Sequence, residues 1–370
     1  MRYPMPLRPR VTRRMIPDEP TTPESSLRAW GGRLLKAGMT LLTVFLVWYF
    51  MSHSDIEWAD LATRVAEASP LLLTMGMVLL LARFWLWDWR FRLAARRAVG
   101  RSSGAFLGFF VLLASACLNL VTPAVRLAGG LLRARYWARW TGKSFGFFYG
   151  VVLYDQVAHH VTMTACTWIT LIAAAYALDR PWLGTAALAA LAGVVVWLAV
   201  WTRRRKSAEA HPLVGYLARR AERAEGKLQR FFVHGHEAVG VFVRLLSHVP
   251  LRPQVAALGA TYFLVNAAAQ WMMFLAMGLP VDPLVVIAVV ALGNAVGTLS
   301  GTPGGLGTTE LTMVASFEAL GVDEVAAAAG TLLFRGLHYA AVLGIGLPAL
   351  ALLEMRRGES GEGPPESTSL

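Results

Sequence analysis

Four ionisable residues stand in or at the edge of apolar runs, where charge is costly: Arg126, Asp155, Glu310 and Arg335. Such residues usually face a bundle interior or a cavity. A guanidinium matches the geometry of a phosphate, so Arg126 and nearby Arg133 are candidate ligands for a lipid phosphate. Ordinary positive charge of a cytoplasmic loop explains those two equally well. A carboxylate such as Glu310 suits an attached amine. The chemistry on offer is therefore head-group binding rather than bond breaking. His159 and His160 are adjacent, point to different faces of a helix, and cannot form an i, i+4 metal pair. With His338 they read as packing or hydrogen-bonding residues. The sequence carries no Walker loop, zinc motif or nucleophile elbow. No metal or cofactor is expected, and an intramembrane enzyme would have only Asp155, His159 and Glu310 to offer.

Glu310 closes the stretch Leu299-Ser300-Gly301-Thr302-Pro303-Gly304-Gly305-Leu306-Gly307-Thr308-Thr309-Glu310. Five of its twelve residues are Gly or Pro, so it cannot continue a helix. It lies between two apolar runs and carries no Lys or Arg. Non-helical backbone at membrane depth requires protein or a water-filled cavity around it. The expected element is re-entrant: a half-helix in, a break at Gly304, Gly305 and Gly307, and a half-helix back out over 309–320. Thr308 or Thr309 would cap the second half-helix, with Glu310 in its first turn complementing the helix dipole. A loop at the membrane surface is the alternative.

Elements long and apolar enough to hold such a site dominate the chain. Hydrophobic residues make up 56% of the 370 positions, and mean hydropathy is +0.49. That composition defines an integral membrane protein. Thirteen tryptophans suit interfacial belts. The formal charge is +12, but the basic residues cluster in particular loops, which argues for membrane orientation and anionic lipid contact rather than nucleic acid. Cys117 and Cys166 both fall in apolar segments and read as packing residues.

Residues 1–32 read as a disordered basic cytoplasmic tail with no cleavable signal, and 357–370 as a second disordered tail. Between them, 33–356 forms one polytopic membrane domain. A first span over 37–51 leads to an outer amphipathic helix. The first half, 70–202, opens with a span over 70–87. Trp85, Trp87 and Trp89 end it, and a cytoplasmic basic loop from Arg90 to Arg101 follows. If the next run, 105–121, crossed the bilayer, Arg126, Arg133, Arg135, Arg139 and Lys143 would all lie outside, against the positive-inside rule. A return at Thr122-Pro123 keeps both basic loops inside. Long spans over 145–178 and 182–201 follow. The connector, 203–252, reads as amphipathic helices along the cytoplasmic surface or as a solvated helix pair. The second half, 253–356, holds a span, the hairpin 285–320 and a last span.

The fold expected is thus all-α, with about six full transmembrane helices and two oppositely oriented re-entrant hairpins in an inverted repeat. Both termini are expected in the cytoplasm. Counted from Pro123 and Pro303, Asp155 and Arg335 share the offset +32. Both then lie near the midplane, which predicts an intramembrane Asp155–Arg335 ion pair across the pseudo-axis.

The run Thr302 to Glu310, followed by Leu332-Leu333-Phe334-Arg335 and Tyr339, resembles the lysylphosphatidylglycerol synthase transmembrane family, a flippase-like membrane domain. Asn119-Leu120-Val121-Thr122-Pro123 with Leu131-Leu132-Arg133-Ala134 resembles its first-half motif. The resemblance covers roughly residues 35–355. It implies movement of a phospholipid, notably aminoacylated phosphatidylglycerol, between leaflets of the cell inner membrane. It adds Tyr339 to the binding set of Arg126, Arg133, Asp155, Gly304, Gly305, Gly307, Glu310 and Arg335. Two departures stand out. Gly129-Gly130 replaces the Gly-Glu usual in the first hairpin, and Tyr154-Asp155-Gln156 stands where relatives carry a basic residue. The soluble aminoacyl-transfer domain is absent from the chain, so lipid aminoacylation is not expected. The alternative function is a membrane scaffold for an envelope lipid enzyme. Partners are therefore membrane lipids, with a homo-oligomer or an envelope enzyme left open.

Overall fold

The computed structural model describes residues 63–100, 104–121, 127–177, 212–248, 251–300 and 302–359, with six further positions between 181 and 193. The expected first span, most of the outer amphipathic segment, the Thr122-Pro123 turn with Arg126, nearly all of the run over 182–201 and most of both tails lie outside the described residues.

The described chain is an all-α membrane protein. Its helices are α1 (Pro70–Val99), α2 (Ala105–Val121), α3 (Leu127–Thr141), α4 (Phe145–Ala177), α5 (Pro212–Arg223), α6 (Gly226–Ser247), α7 (Leu251–Ala276), α8 (Pro283–Leu299), α9 (Thr308–Ala319) and α10 (Glu324–Glu359). A 3₁₀ turn, Pro303–Gly305, lies between α8 and α9. Helices α1, α4, α7 and α10 are long and apolar enough to cross a bilayer. Helices α2 and α8 have 17 residues each, about 26 Å by helix rise, which is short of a roughly 30 Å hydrocarbon core.

Local chemistry sets the helix ends. Pro70 opens α1, where a missing N–H costs nothing. Gly100, at φ 76°, closes it with its N–H bonded to the Arg96 carbonyl. The Asp282 carboxylate accepts the Leu284 N–H at 2.7 Å to start α8. At α9 the cap differs from expectation. Gly307 is the N-cap residue, so neither Thr308 nor Thr309 fills that role. Thr308 Oγ1 instead reaches back to Ser300 Oγ at 2.9 Å and the Gly305 carbonyl at 3.2 Å, tying the break together.

The two halves repeat helix by helix. Pro70 and Leu251, Ala105 and Pro283, Leu127 and Thr308, and Phe145 and Glu324 are the paired starts, each about 180 residues apart. The leading helices α1 and α7 pack against each other and run antiparallel. Arg83 meets Asn266, and the Ser69 N–H meets the Ala276 carbonyl at 2.7 Å. Each hairpin bridges the halves. Helix α2 packs on α10 and α8 on α4, whereas the returning helices α3 and α9 lie on the long helix of their own half, α4 and α10.

Two expectations need correction. The span over 70–87 does not stop at its tryptophans. Helix α1 continues to Val99, and Arg90 and Arg92 ride on it, buried rather than in a cytoplasmic loop. The connector is not simply a surface or solvated pair. Ala238, Val241, Val243 and Leu245 of α6 are buried, and Val241 and Leu245 join Phe148, Val151 and Val152 of α4 in one apolar cluster. Gly146 and Gly150 allow this approach, since a Cβ on either would overlap α6 backbone. Helix α5 packs on α6 and leaves Tyr216 exposed.

Candidate functional site

Asp155 lies on α4 and is 1% exposed. A carboxylate buried that deeply must be paired and hydrogen-bonded. Arg90 Nε, from α1, meets Oδ1 at 2.8 Å, and Arg133 Nη1, from α3, meets Oδ2 at 3.1 Å. The Trp87 indole N–H also donates to Oδ2, at 3.0 Å. One carboxylate thus ties three helices. His159, one turn on, stacks on Trp87 and lies 3.2 Å from Arg90 through Nδ1. The Arg133 guanidinium sits 4.0 Å from the Phe91 ring centre, a cation–π contact. Next to this cluster, Asp88 Oδ2 accepts from Arg92 Nε at 2.6 Å.

Glu310 forms the counterpart in the second half. Its Oε1 accepts from Arg335 Nε at 2.6 Å and from the Tyr339 hydroxyl at 2.8 Å. Arg335 Nη2 also bonds the Tyr339 hydroxyl, and reaches the Gly304 carbonyl at 3.1 Å. The glycine break is therefore held by a side chain from α10. Gly304, Gly305 and Gly307 all have positive φ, at 60°, 72° and 78°.

The expected Asp155–Arg335 pair is not formed. Asp155 pairs with Arg90 and Arg133, and Arg335 pairs with Glu310. The shared sequence offset does mark equivalent positions, but equivalence works differently from pairing. Each returning half-helix lies on its own long helix, so the nearest opposite charge comes from the same half. The signs are exchanged between halves: acid on the long helix and base on the hairpin in the first, the reverse in the second. Asp155 and His159 correspond to Arg335 and Tyr339 in spacing but not in contact: His159 meets Arg90 of α1, whereas Tyr339 meets Glu310 of the returning helix.

Between the clusters lies a cavity of about 140 Å³. Arg83 and Trp87 of α1, Asn119 of α2, Asn294 of α8, Arg335 and His338 of α10 contribute to its wall, with Thr302, Gly304, Gly305 and Thr309 of the break. The last turn of α2 meets the glycine break here, because a Cβ on Gly304 would lie 2.5 Å from Leu120 Cδ1. By water-sized space the cavity holds roughly ten water positions, enough for a small polar head group but not for acyl chains. A smaller void of about 10 Å³ adjoins Arg133, Asn119 and Gln156, space for a single water.

Of the residues expected at the site, Arg335, Gly304 and Gly305 line the cavity. Glu310 and Tyr339 stand behind Arg335, Asp155 and Arg133 form the other cluster, and Arg126 lies outside the described residues. Sequence reasoning missed Arg83, Arg90, Asn119, Asn266 and His338 as members of the site. Arg83 had a legible signal: it is a lone cation inside an 18-residue apolar run. It bonds Asn266 Oδ1 and His338 Nδ1, and its guanidinium lies 4.8 Å from the Phe84 ring centre. Among the described residues no group of three His, Cys, Asp or Glu could hold a metal.

A polytopic helical protein with four long apolar helices and a buried charge cluster in each half belongs among multi-pass membrane proteins. A family model described as "Lysylphosphatidylglycerol synthase TM region" matches residues 36–346, and the chain belongs to that family, which is linked to lipid handling. The chain is also similar to a "UPF0104 membrane protein" of Methanothermobacter thermautotrophicus, 22% identical over 335 residues, which covers 86% of this chain and 94% of that protein.

Proposed function

We propose that the protein moves a phospholipid or related lipid-linked amphiphile between leaflets, with the head group entering the cavity between the two hairpin tips. The observation that carries this reading is the cavity itself. Both halves wall it, and it is lined by Arg83, Arg335, Asn119 and Asn294. A membrane core that only scaffolds has no need of polar groups around an open volume, since burying them costs free energy unless they are paired. The scaffold reading has one observation in its favour: Asp155 and Glu310 are bonded to neighbouring side chains rather than presented to a ligand.

Leaflet-resolved lipid movement in proteoliposomes containing only this protein decides between them. Wild-type protein should move anionic lipid at least tenfold faster than protein-free vesicles. Glu310→Gln should fold normally and lose most of that rate, because a neutral amide no longer fixes the Arg335 guanidinium at the cavity wall. Movement at the protein-free rate in wild type would leave the scaffold as the better account.

In this reading both hairpins are re-entrant, open from opposite faces of the inner membrane, and leave both termini in the cytoplasm. Cysteine-accessibility labelling at positions 101, 139, 180 and 282, in a Cys-free background, tests the topology. Positions 101 and 139 should label from the cytoplasm, and 180 and 282 from outside. Labelling of 139 from outside with 101 inside would make α2 a full span and end the inverted repeat.

A further inference from the structure

The cavity wall has one sign of charge. Arg83 and Arg335 contribute guanidiniums from different halves of the repeat, and the other polar side chains on the wall, among them Asn119, Asn294, His338, Thr302 and Thr309, carry no acid. Among the described residues no carboxylate lines it. The two acids beside it are walled off. Glu310 is 7% exposed; its Oε1 is engaged by Arg335 and Tyr339, and its Oε2 is sealed from solvent. Asp155 is 1% exposed, with both oxygens engaged.

We propose that this cavity is a site for a phosphodiester anion that carries no amine, so that it takes plain anionic head groups and rejects aminoacylated and zwitterionic ones. The inference rests on the lipid-transport reading only for the identity of the ligand as a lipid. The anion preference follows from the wall. A phosphodiester meets guanidinium and amide donors of the right shape. An ammonium placed in the same volume meets two cations and finds no acceptor carboxylate, and like-charge juxtaposition is an effective way to exclude a competitor. A family described by lysylphosphatidylglycerol would suggest the opposite preference.

Binding is read by native mass spectrometry of the full chain in detergent, titrated with dioleoyl phosphatidylglycerol, its lysyl ester, or dioleoyl phosphatidylethanolamine. Wild type should bind phosphatidylglycerol at least tenfold more tightly than either amine-bearing lipid. Asn119→Asp tests the wall directly. Asp keeps the oxygen that accepts the Gly129 N–H at 2.8 Å, so the hairpin is retained while a carboxylate enters the cavity. This variant should lose about tenfold in phosphatidylglycerol binding and gain lysyl-ester binding. Arg83→Lys should retain the preference for phosphatidylglycerol, and Arg83→Gln should lose it. Equal or tighter lysyl-ester binding by wild type, or an unchanged preference in Asn119→Asp, overturns the proposal. Soluble glycerophosphoglycerol serves as a competitor. Displacement at concentrations matching the lipid's keeps the anion site and overturns the lipid as its source. Tight, selective binding without leaflet movement keeps the site and overturns the transport reading. Movement that favours the lysyl ester does the reverse.

Discussion

Asp155→Ala should unfold or severely weaken the protein, with a loss on the order of 3–5 kcal/mol in thermal unfolding measured in detergent. The cause is what the mutation leaves behind. Arg90 and Arg133 both contact this carboxylate, at 2.8 and 3.1 Å, and both are almost fully buried. Removing the acid strands two guanidiniums inside the bundle. Asp155→Asn keeps an oxygen for the Trp87 indole N–H and should be less severe. Double-mutant cycles then identify the partners. Asp155→Ala should couple with Arg133→Met and with Arg90→Met by more than about 1 kcal/mol, since removing a cation relieves the unpaired charge. With Arg335→Ala the effects should simply add, within about 0.5 kcal/mol. Strong coupling between positions 155 and 335 would restore the ion pair across the pseudo-axis and contradict the arrangement described here.

The second large effect is expected at the glycine break. Gly305 has φ 72°, and a Cβ there would lie 2.6 Å from Thr309 Oγ1 and 3.4 Å from the Gly297 backbone. Gly305→Val combines left-handed backbone strain with overpacking against α8, together about 2–5 kcal/mol. Neither neighbour can easily withdraw, because Gly297 is part of a helix and Thr309 is buried at the start of α9. Gly304→Ala should cost less. Gly304 is exposed toward the cavity, and the atom its Cβ would meet is the end of the Leu120 side chain, which can rotate away. Thermal unfolding of the two variants in detergent should therefore rank Gly305→Val well below Gly304→Ala. The reverse ranking would show that the break is not packed as described. Transport by Gly304→Ala gives a separate reading, since that methyl group narrows the volume where α2 meets the glycine break.

The pattern of apolar runs alone determined that this is an all-α membrane protein, and it placed the boundaries of the short apolar helices well, though it ended α1 twelve residues early. The run over 105–121 coincides with α2, and the Gly-Pro break before Thr308 separates α8 from α9 as composition requires. Helix periodicity, proline and glycine are local properties, so they are legible locally. The Thr-Pro steps also carried the repeat, and the paired helix starts recur at that same spacing.

Partner choice was decided only in three dimensions. Sequence offset identified Asp155 and Arg335 as equivalent residues, yet it holds no information on which half each hairpin leans against. Helix α3 lies on α4 and α9 on α10, so each charge is met within its own half. Arg90 looked like loop charge because tryptophans precede it. The continuation of α1 beyond them turned it inward to Asp155. The cavity, with Arg83, Asn119 and Arg335 drawn from three helices, has no counterpart in any single stretch of chain. Coulombic and hydrogen-bond partners depend on distances of a few ångströms between segments up to about 250 residues apart, such as Arg83 and His338. Only the packing of the two halves sets those distances.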